Sequence, residues 1–392
     1  MLEHYFHAKG RKFHEMTIVS DKKVTHRVWL GKHVTTKEEK MAHIEFRTEQ
    51  QEAVFHSPLE NMQEVKQHLE VRFDPLTGRQ SVFNSAMEGK AKTAFPDTDF
   101  DYLEQRAKKT EKECFLCPRD WKKYTPKYPE ELVPTGILEK GETALFPNLF
   151  PIAPYHSLIR VGDKHLRTLD DFPPDVLADA FELALEFVRL CYAYDPGMRY
   201  ATINANYQLP AGASVIHPHF QILSSPLTST HHDLILQKSA EYWEHNSTNY
   251  WQDLVSTEKE LGQRWIGQTG QAHWITAFSP MGQNEIMVVW PQKQSFMHWT
   301  REDVWDLAAG MSHVFKVWYE MKLSSFNFSC FSAPLDEESP YFSCIMRLVN
   351  RQNVVPDHRT DDYFLQKLMH NDMIINRPER LAQWMGEGFP ST

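Results

Sequence analysis

One strand-and-helix pattern occurs twice in the sequence, and this repeat constrains the fold more than any other feature. The stretch FPIAPYHSLIRVGDKH and the later stretch FSPMGQNEIMVVWPQK each read as strand, loop and strand, followed by a polar turn and a helix that opens with acidic residues. At an offset of 128 residues, the matching pairs are Phe150 with Phe278, Leu158 with Ile286, Asp175 with Asp303, Val176 with Val304, and Ala180 with Ala308. Two related α+β units are therefore predicted, with chance similarity as the alternative.

Local patterns predict the remaining elements. Regular apolar spacing predicts a helix over 173–193, which begins at two prolines and ends at Asp195-Pro196-Gly197. Short strands, such as 17–19 and 28–30, are expected within residues 1–68. The other predicted elements are, in order, a helix at 61–69, an exposed helix or linker at 96–112, strands at 143–147, 155–161 and 201–206, and a helix or helix pair at 232–262.

Composition excludes several classes of protein. The 42 basic and 52 acidic residues give a net charge of −10, which disfavours broad binding to nucleic acid or anionic membranes. No apolar run is long enough to span a bilayer, and no apolar secretory segment is visible. Five cysteines are an odd number and do not form a disulfide framework. A cytoplasmic enzyme is therefore expected, and its 20 histidines direct attention to a site.

Two of the cysteines have the spacing of a zinc knuckle, in the run Cys114-Phe115-Leu116-Cys117. A redox-active pair is the alternative, but no thioredoxin-like strand–helix–strand pattern surrounds it. A closed tetrahedral zinc site needs two further ligands, and His165 and His217 are the candidates. His156 competes with them, although its place inside a strand favours packing or hydrogen bonding. The other three cysteines, Cys191, Cys330 and Cys344, are expected in the core.

The segment His217-Pro218-His219-Phe220-Gln221 is the sharpest local signal. Side chains two positions apart on an extended backbone share a face, so His217, His219 and Gln221 are expected to point to one side. Pro218 restricts such a strand to an edge or an end. An exposed polar strand face is the alternative interpretation of this short motif.

Taken in order, these motifs resemble those of the galactose-1-phosphate uridylyltransferase family, which belongs to the histidine-triad (HIT) superfamily. The resemblance is carried by Arg72-Phe73-Asp74-Pro75-Leu76-Thr77-Gly78, the two knuckle cysteines, Asn148, His165, Asn206, Gly212-Ala213-Ser214 and the HPHFQ run. It covers roughly residues 70–225 and continues weakly to about 385. The resemblance implies an α+β fold with two HIT-like antiparallel-sheet-plus-helix halves. The implied organisation is an N-terminal extension (1–68), a first domain with zinc and the catalytic histidine (69–235), and a degenerate second domain (236–392).

The resemblance also implies a role for each matched residue. A structural zinc ion would be bound by four residues, Cys114, Cys117, His165 and His217. His219 would attack the α-phosphorus of a nucleotide and become a nucleotidyl-histidine, while Gln221 would donate its amide to the phosphoryl oxygens. Asn206 and Ser214 would bind phosphate oxygens, and Asn148 would lie in the nucleoside pocket. Imidazole suits this chemistry because it is neutral and nucleophilic near pH 7 and leaves phosphorus readily.

The implied activity is that of a nucleotidyltransferase, which moves a nucleoside monophosphate from a nucleotide sugar to a sugar 1-phosphate or a related phosphate. UMP is the leading candidate for the transferred group. HIT hydrolases usually carry a third histidine where this sequence has Gln221, and an amide cannot act as a general acid. A phosphorylase that uses inorganic phosphate is the first alternative, and a non-catalytic nucleotide-binding member is the second. A nucleic-acid-binding zinc protein is disfavoured by the acidic charge. The resemblance is compatible with a homodimer.

Three segments depart from the family pattern. An arginine-rich run that contacts phosphates is replaced by 84–92, where Lys90 or Lys92 could substitute. Residues 326–332 lack the HxH strand of a second metal site, so no second metal is expected. Residues 366–373 match the hexose-binding segment weakly, so galactose is not implied.

Overall fold

The computed structural model describes residues 44–88, 95–119, 121–358 and 360–390. The short strands expected at 17–19 and 28–30 and the lysines Lys90 and Lys92 lie outside these residues. The strands are β1 (Thr48–Ser57), β2 (Gln63–Phe73), β3 (Gln80–Asn84), β4 (Leu138–Lys140), β5 (Thr143–Pro147), β6 (Tyr155–Arg160), β7 (Tyr200–Tyr207), β8 (His219–Ser225), β9 (Trp265–Thr269), β10 (Ala272–Thr276), β11 (Gln283–Trp290), β12 (Phe326–Phe331), β13 (Cys344–Asn350) and β14 (Asp372–Ile374). The helices are α1 (Ser85–Glu88), α2 (Phe100–Glu111), α3 (Trp121–Tyr124), α4 (Pro174–Tyr194), α5 (Thr230–Asn246), α6 (Tyr250–Leu261), α7 (Arg301–Glu320), α8 (Phe364–Met369) and α9 (Pro378–Gly386).

A ten-stranded antiparallel sheet contains both copies of the repeat. Its strand order is β4-β5-β6-β8-β7-β12-β13-β11-β10-β9, and β7 pairs with β12 at the centre. Each half has three strands, a long helix and two strands, and its fourth strand in chain order lies at the centre. The predicted α+β fold with two halves is therefore confirmed, and the halves form one continuous sheet.

The long helices α4 and α7 pack on one face of this sheet and enclose the main core. Pro174 begins α4, where its missing N–H removes no intrahelical hydrogen bond. Thr300 begins α7 with a capping box, because its hydroxyl accepts from the N–H of Asp303 and the Asp303 carboxylate accepts in return. The three cysteines expected in the core, Cys191, Cys330 and Cys344, are fully buried there.

The repeat is out of register by one residue in its strands. Ile286 lies in the core beneath the helices, and so does Ile159 of β6. Leu158, which the sequence alignment paired with Ile286, instead packs on the opposite face with Leu116 and Phe146. A shift of one residue exchanges the two faces of a strand. The alignment offset is therefore correct for α4 and α7 but one residue too long between β6 and β11.

A smaller sheet of order β1-β2-β3-β14 lies near the chain ends. The helix predicted at 61–69 is wrong, because residues 63–73 form β2, paired with β1 along its length. Val65, Leu69 and Val71 occupy alternate positions, which is the period of a strand. The small sheet thus includes part of the segment that was expected to be a separate extension.

The other predicted elements are confirmed within one or two residues at the strands and at the first long helix. The segment 96–112 contains α2, and the segment 232–262 contains the pair α5 and α6. Ser247 ends α5 with a left-handed backbone (φ 58°), and Asn249 caps α6 through its side-chain oxygen. The predicted domain borders at 68/69 and 235/236 fall inside β2 and α5, and they stay predictions.

The sheet face opposite α4 and α7 carries a polar strip at its centre. In β7, small and apolar residues face the helices, whereas Thr202, Asn204 and Asn206 point to the other side. The helices α5 and α6 cover this other side over the second half, with an apolar cluster of their own. None of the helices in the described residues is long and apolar enough to cross a membrane.

Candidate functional site

The four predicted zinc ligands, Cys114, Cys117, His165 and His217, meet in one cluster. Their ligand atoms all lie within 4.8 Å of one another. Cys117 Sγ is 3.4 Å from His165 Nδ1 and 3.7 Å from His217 Nδ1. Sulfur and nitrogen on a tetrahedral zinc ion are about 3.5 Å apart, given the usual bond lengths. The cluster could therefore hold a metal ion, and it is the only such group within the described ranges.

The cysteines are positioned by a turn after α2 that packs into the first half. Leu116, between the two cysteines, is fully buried in a cluster with Trp121. Arg160 of β6 donates a hydrogen bond to the carbonyl oxygen of Leu116, and its guanidinium lies 5.4 Å from the centre of the Trp121 ring. The knuckle is thus attached to the same strand that leads to His165.

The turn after β6 brings His165 back toward the knuckle. Gly162 adopts φ +74°, and a Cβ at this position would lie 2.7 Å from Nη2 of Arg167. The positive φ favours glycine here, and any side chain would also have to displace the Arg167 guanidinium. The Gly162 carbonyl oxygen accepts a hydrogen bond of 2.9 Å from Nε2 of His217, which ties the fourth ligand to the same turn.

Hydrogen bonds outside the cluster fix the tautomers of both histidines. A carbonyl oxygen only accepts, so the His217 proton is on Nε2 and Nδ1 is free to bind a cation. The Thr110 hydroxyl donates to the Arg106 carbonyl at 3.0 Å, so it accepts from His165 Nε2 at 3.0 Å. His165 therefore also presents a bare Nδ1. Such outer contacts are typical of metal-binding histidines.

Burial keeps both imidazoles neutral. It lowers the pKa of His217 to about 3, despite the hydrogen bond to Gly162, and it lowers the pKa of His165 as well. Burial and the neighbouring Cys114 raise the pKa of the Cys117 thiol to about 12. Neutral imidazoles can bind a cation directly, whereas the Cys117 thiol needs a bound cation in order to lose its proton near neutral pH.

His219 begins β8 directly after Pro218, which has no N–H for the sheet. The predicted shared face is correct for His219 and Gln221, which point away from the core side chains Phe220 and Ile222. His217 lies before the strand, and its ring points into the cluster.

The catalytic candidate His219 is itself held in one tautomer. Its Nδ1 lies 2.9 Å from the carbonyl oxygen of His217, so Nδ1 carries the proton and Nε2 carries the lone pair. Burial lowers the pKa of His219, which keeps the ring neutral and nucleophilic near pH 7. His217 therefore links the cluster to His219 through its backbone carbonyl oxygen.

Gln221 is oriented by His156, which the sequence left as a competing ligand. The N–H of Ile152 donates to His156 Nδ1 at 3.3 Å, so the His156 proton is on Nε2. That atom lies 2.8 Å from Gln221 Oε1, which accepts its hydrogen bond. The amide nitrogen of Gln221 therefore points the other way. Asn148 lies beside this pair, with Nδ2 3.1 Å from His156 Nε2.

Sequence reasoning named Asn206 but missed the other polar residues of the central strands, Asn204, Asn327 and Ser329. Asn204 accepts a hydrogen bond of 2.8 Å from Ser329, and Asn206 accepts one of 2.7 Å from Asn327. Both donors belong to β12, in the second half. The signal was present, because polar residues alternate with apolar ones in YATINANY and FNFSCF. The partners could not be assigned without the pairing of β7 with β12.

Ser214 stands apart from these contacts. It is exposed, makes no hydrogen bond with any described residue, and lines a cavity of about 180 Å³ with Arg106, Phe115 and His165. A larger cavity of about 460 Å³ is lined by Arg79, Arg351, Asp361 and Tyr363 among others. Since Arg351 also contacts Asn327, this larger cavity adjoins the polar strip.

Comparison with known proteins finds solved structures that share the fold of this chain. No protein-family model matches the sequence. An uncharacterized protein from Archaeoglobus fulgidus is 28% identical over 307 residues, which cover 78% of this chain and 88% of that protein. An ADP-glucose phosphorylase from Arabidopsis thaliana, solved with bound ADP-glucose, has a TM-score of 0.62 at 18% identity and covers 81% of this chain and 99% of that one. A uridylyltransferase mutant has a TM-score of 0.59 at 15% identity, over 81% of this chain and 97% of that one. The resemblance seen in the motifs is thus confirmed at the level of the fold, which this chain shares with uridylyltransferase and ADP-glucose phosphorylase.

Proposed function

We propose that this protein is an enzyme that transfers a nucleoside monophosphate from a nucleotide sugar to a sugar 1-phosphate or a related phosphate. UMP is the leading candidate for the transferred group. The observation that carries the proposal is the state of His219. Its Nδ1 donates a hydrogen bond to a carbonyl oxygen, its Nε2 has no partner among the described residues, and the oriented amide of Gln221 lies on the same strand face. This arrangement suits attack on phosphorus followed by stabilisation of phosphoryl oxygens.

The reaction would proceed in two displacements. Nε2 of His219 forms a bond to the α-phosphorus, and the bond from phosphorus to the bridging oxygen breaks, so the sugar 1-phosphate leaves. The imidazole then carries a positive charge, and its Nδ1–H remains bonded to the His217 carbonyl oxygen. In the second step a phosphate oxygen of the acceptor attacks phosphorus, and the nitrogen–phosphorus bond breaks to regenerate neutral His219.

Gln221, Asn206 and Ser214 would donate to the phosphoryl oxygens, and Asn148 would contact the nucleoside. The proposed roles of Gln221 and Asn206 are supported by their hydrogen bonds within the protein. Their amide oxygens already accept from His156 and Asn327, respectively. Their nitrogens are therefore directed away from these partners. Neutral donors of this kind stabilise charge that spreads over phosphoryl oxygens.

The metal of the cluster is proposed to be zinc. Two thiolates and two neutral imidazoles in tetrahedral spacing are a donor set that zinc prefers. Four protein ligands leave no open position, so the ion would stabilise the turns around His217 and thereby the start of β8. The thiols must remain reduced to bind it, which favours a cytoplasmic enzyme. A homodimer stays a prediction.

A phosphorylase is the second candidate, supported by the fold shared with the Arabidopsis ADP-glucose phosphorylase. It would use the same His219 adduct and the same Gln221, with inorganic phosphate as the acceptor in the second step. Isolated adduct offered inorganic phosphate or a sugar 1-phosphate separates the two candidates. Release of a nucleoside diphosphate with inorganic phosphate alone would favour the phosphorylase. Formation of a nucleotide sugar with the sugar 1-phosphate, and no product with inorganic phosphate, would favour the transferase.

Intact mass spectrometry tests the covalent step. After incubation with UDP-glucose, UDP-galactose or ADP-glucose, we expect a mass gain of one nucleoside monophosphate. The His219→Asn variant should show no gain, while His245→Asn, at an exposed position on α5, should gain as much as the unmodified protein. An adduct on His219→Asn would contradict the assignment of the nucleophile. No adduct with any nucleotide sugar would favour a non-catalytic nucleotide-binding protein.

A further inference from the structure

A contact between two amide side chains joins the halves of the sheet beside the proposed site. Asn327 of β12 faces Asn206 of β7 across the central strand pair, and Nδ2 of Asn327 lies 2.7 Å from Oδ1 of Asn206. We infer that Asn327 is a positioning residue, which turns the amide nitrogen of Asn206 toward the phosphoryl oxygens of the substrate. The inference rests on the proposed function, because it gives Asn206 the role of a phosphate-binding donor.

The orientation of the Asn327 amide follows from neighbouring groups that can only donate or only accept hydrogen bonds. Arg351 Nη1 donates to Asn327 Oδ1 at 2.6 Å, and a guanidinium cannot accept. On the other side, Nδ2 of Asn327 lies 2.9 Å from the Ala211 carbonyl oxygen and 3.3 Å from that of Ala205, and carbonyl oxygens cannot donate. A rotated amide would place donor against donor and acceptor against acceptor. Asn327 therefore has a single favourable orientation.

Arg351 is in turn held in place by an acidic partner. Its Nε lies 2.9 Å from Asp361 Oδ2, and its Nη2 lies 2.7 Å from Asp361 Oδ1. Such a two-point pair fixes the plane of the guanidinium as well as its position. The side chain of Asp361 is mostly buried, at 11% exposed, so the pair is shielded from water. The amide of Asn327 is thus set by a rigid pair in the second half.

The orientation of Asn327 determines that of Asn206. Because Oδ1 of Asn206 accepts from Asn327, the Nδ2 group must project in the opposite direction, on the half-buried face that also carries His219. Within the described part of the chain, no residue accepts a hydrogen bond from Asn206 Nδ2. Two N–H groups are therefore available for anionic oxygens. Without Asn327, the oxygen of Asn206 could turn toward the phosphate and repel it.

The same contact also attaches the loop that carries Ser214. Ala211 ends a short 3₁₀ turn, Leu209–Ala211, which is followed by Gly212 at φ +88°. The bond from Asn327 to the Ala211 carbonyl ties this turn to β12. One side chain of the second half thus supports both proposed phosphate-binding residues of the first half.

The isosteric variant Asn327→Asp tests the inference. A carboxylate keeps the size of the side chain and the contact with Arg351, but it cannot donate to Asn206. The Asn206 amide should rotate so that its nitrogen faces the new carboxylate and its oxygen faces the ligand. We expect the dissociation constants of UDP and ADP, measured by titration calorimetry, to rise about 10- to 100-fold, as for the loss of a hydrogen bond to a charged group.

A double-mutant cycle with Asn206→Ala separates orientation from simple charge repulsion. If Asn327 acts through Asn206, the effect of Asn327→Asp should shrink to about 3-fold or less in the Asn206→Ala background. An equal fold-change in both backgrounds would overturn the inference, and so would an unchanged affinity in Asn327→Asp. If Asn327→Asp does not fold, Asn327→Ala enters the same cycle with the same criteria.

The outcome can be distinguished from failure of the proposed function. If the unmodified protein gains no nucleoside monophosphate from any nucleotide sugar but binds a diphosphate, the proposed reaction fails, and the binding cycle still decides the role of Asn327. If the unmodified protein binds neither UDP nor ADP at millimolar concentration, both the proposed function and the inference about Asn327 are refuted. Where the adduct does form, Asn327→Asp should slow its formation at saturating nucleotide sugar as well as raise KM.

Discussion

Replacing Arg160 with methionine should weaken both the fold and the metal cluster. Arg160 is 1% exposed and donates to the carbonyl oxygens of Leu116 and Glu142, while it pairs with Asp163. The Leu116 residue is fully buried, so its carbonyl oxygen would lose its partner without gaining water, which costs about 1–3 kcal/mol. The bond to Glu142 is only partly buried and contributes about 1 kcal/mol.

The remaining terms are smaller. The Asp163 side chain is 50% exposed, so water screens its ion pair with Arg160, and the pair contributes little to the free energy of unfolding. Methionine would fill much of the space and would remove the unfavourable burial of a charge. The expected loss is therefore about 2–4 kcal/mol of unfolding free energy, set mainly by the two carbonyl oxygens. Since Leu116 lies between Cys114 and Cys117, the knuckle should loosen too, with a 10- to 100-fold lower zinc affinity, on the order of other outer-contact losses.

Arg189→Met is the matched control. Arg189 also donates to two backbone carbonyl oxygens, those of Phe296 and Trp299, but it lies between α4 and the start of α7 rather than at the cluster. Urea unfolding should show destabilisation of both variants, while competition with a chromophoric chelator should show weaker zinc binding for Arg160→Met only. Equal zinc affinity for Arg160→Met and the unmodified protein would refute the reasoning.

Other measurements follow from the same structure. Because the pKa of the Cys117 thiol is raised to about 12, zinc added at pH 7.5 in a weak buffer should release at least one proton per ion, and no release would argue against thiolate ligation. Gly310→Ala should lower the urea midpoint, at a loss of about 1–3 kcal/mol, because its Cβ would lie 2.1 Å from the buried Trp274 ring. A Cβ at Gly386 would have no neighbour closer than 3.5 Å, so Gly386→Ala should raise the free energy of unfolding by up to about 1 kcal/mol through helix propensity. A stabilised Gly310→Ala together with a destabilised Gly386→Ala would contradict the packing described for these two glycines. Burial raises the pKa of Glu379, but the bond and charge of Arg72 outweigh it, and the net pKa lies below 4.5. Its contribution is therefore present above pH 4.5 and is lost as the pH falls through the lowered pKa, so Glu379→Gln should differ most from the unmodified protein near neutral pH, and a difference that grows in acid would count against the pair.

Features with a local origin could be predicted from the sequence. The two halves follow from repeated apolar spacing. The knuckle spacing of Cys114 and Cys117 predicts a metal site, and the family resemblance adds His165 and His217 to it. His219 and Gln221 share a face because a strand alternates, which needs no knowledge of the partner strand. The helix predicted at 61–69 failed for a local reason as well, since the alternation of Val65, Leu69 and Val71 was a strand signal.

The register of the repeat and the supports of the site could not be predicted. A strand offset that is wrong by one residue leaves the letters similar but exchanges the faces, as Leu158 and Ile159 show. Asn206 and Asn327 are 121 positions apart in the chain, and they meet only because β7 pairs with β12. His156 supports Gln221 from 65 positions away, through the pairing of β6 with β8. Hydrogen bonds between such distant residues depend on topology, which composition and spacing do not contain.

The central pairing of β7 with β12 also bears on whether the first half could exist by itself. A fragment ending before β9 would leave β7 at the border of a five-stranded sheet, with its unpaired N–H and C=O groups in solvent. β7 has eight residues without a proline or a lysine, the features that usually protect such borders from pairing with another molecule. We expect this fragment to aggregate or to self-associate through β7 even when zinc is present. The second half thus covers this border through β12, and we expect it to prevent the half that carries His219 from associating with other molecules through β7.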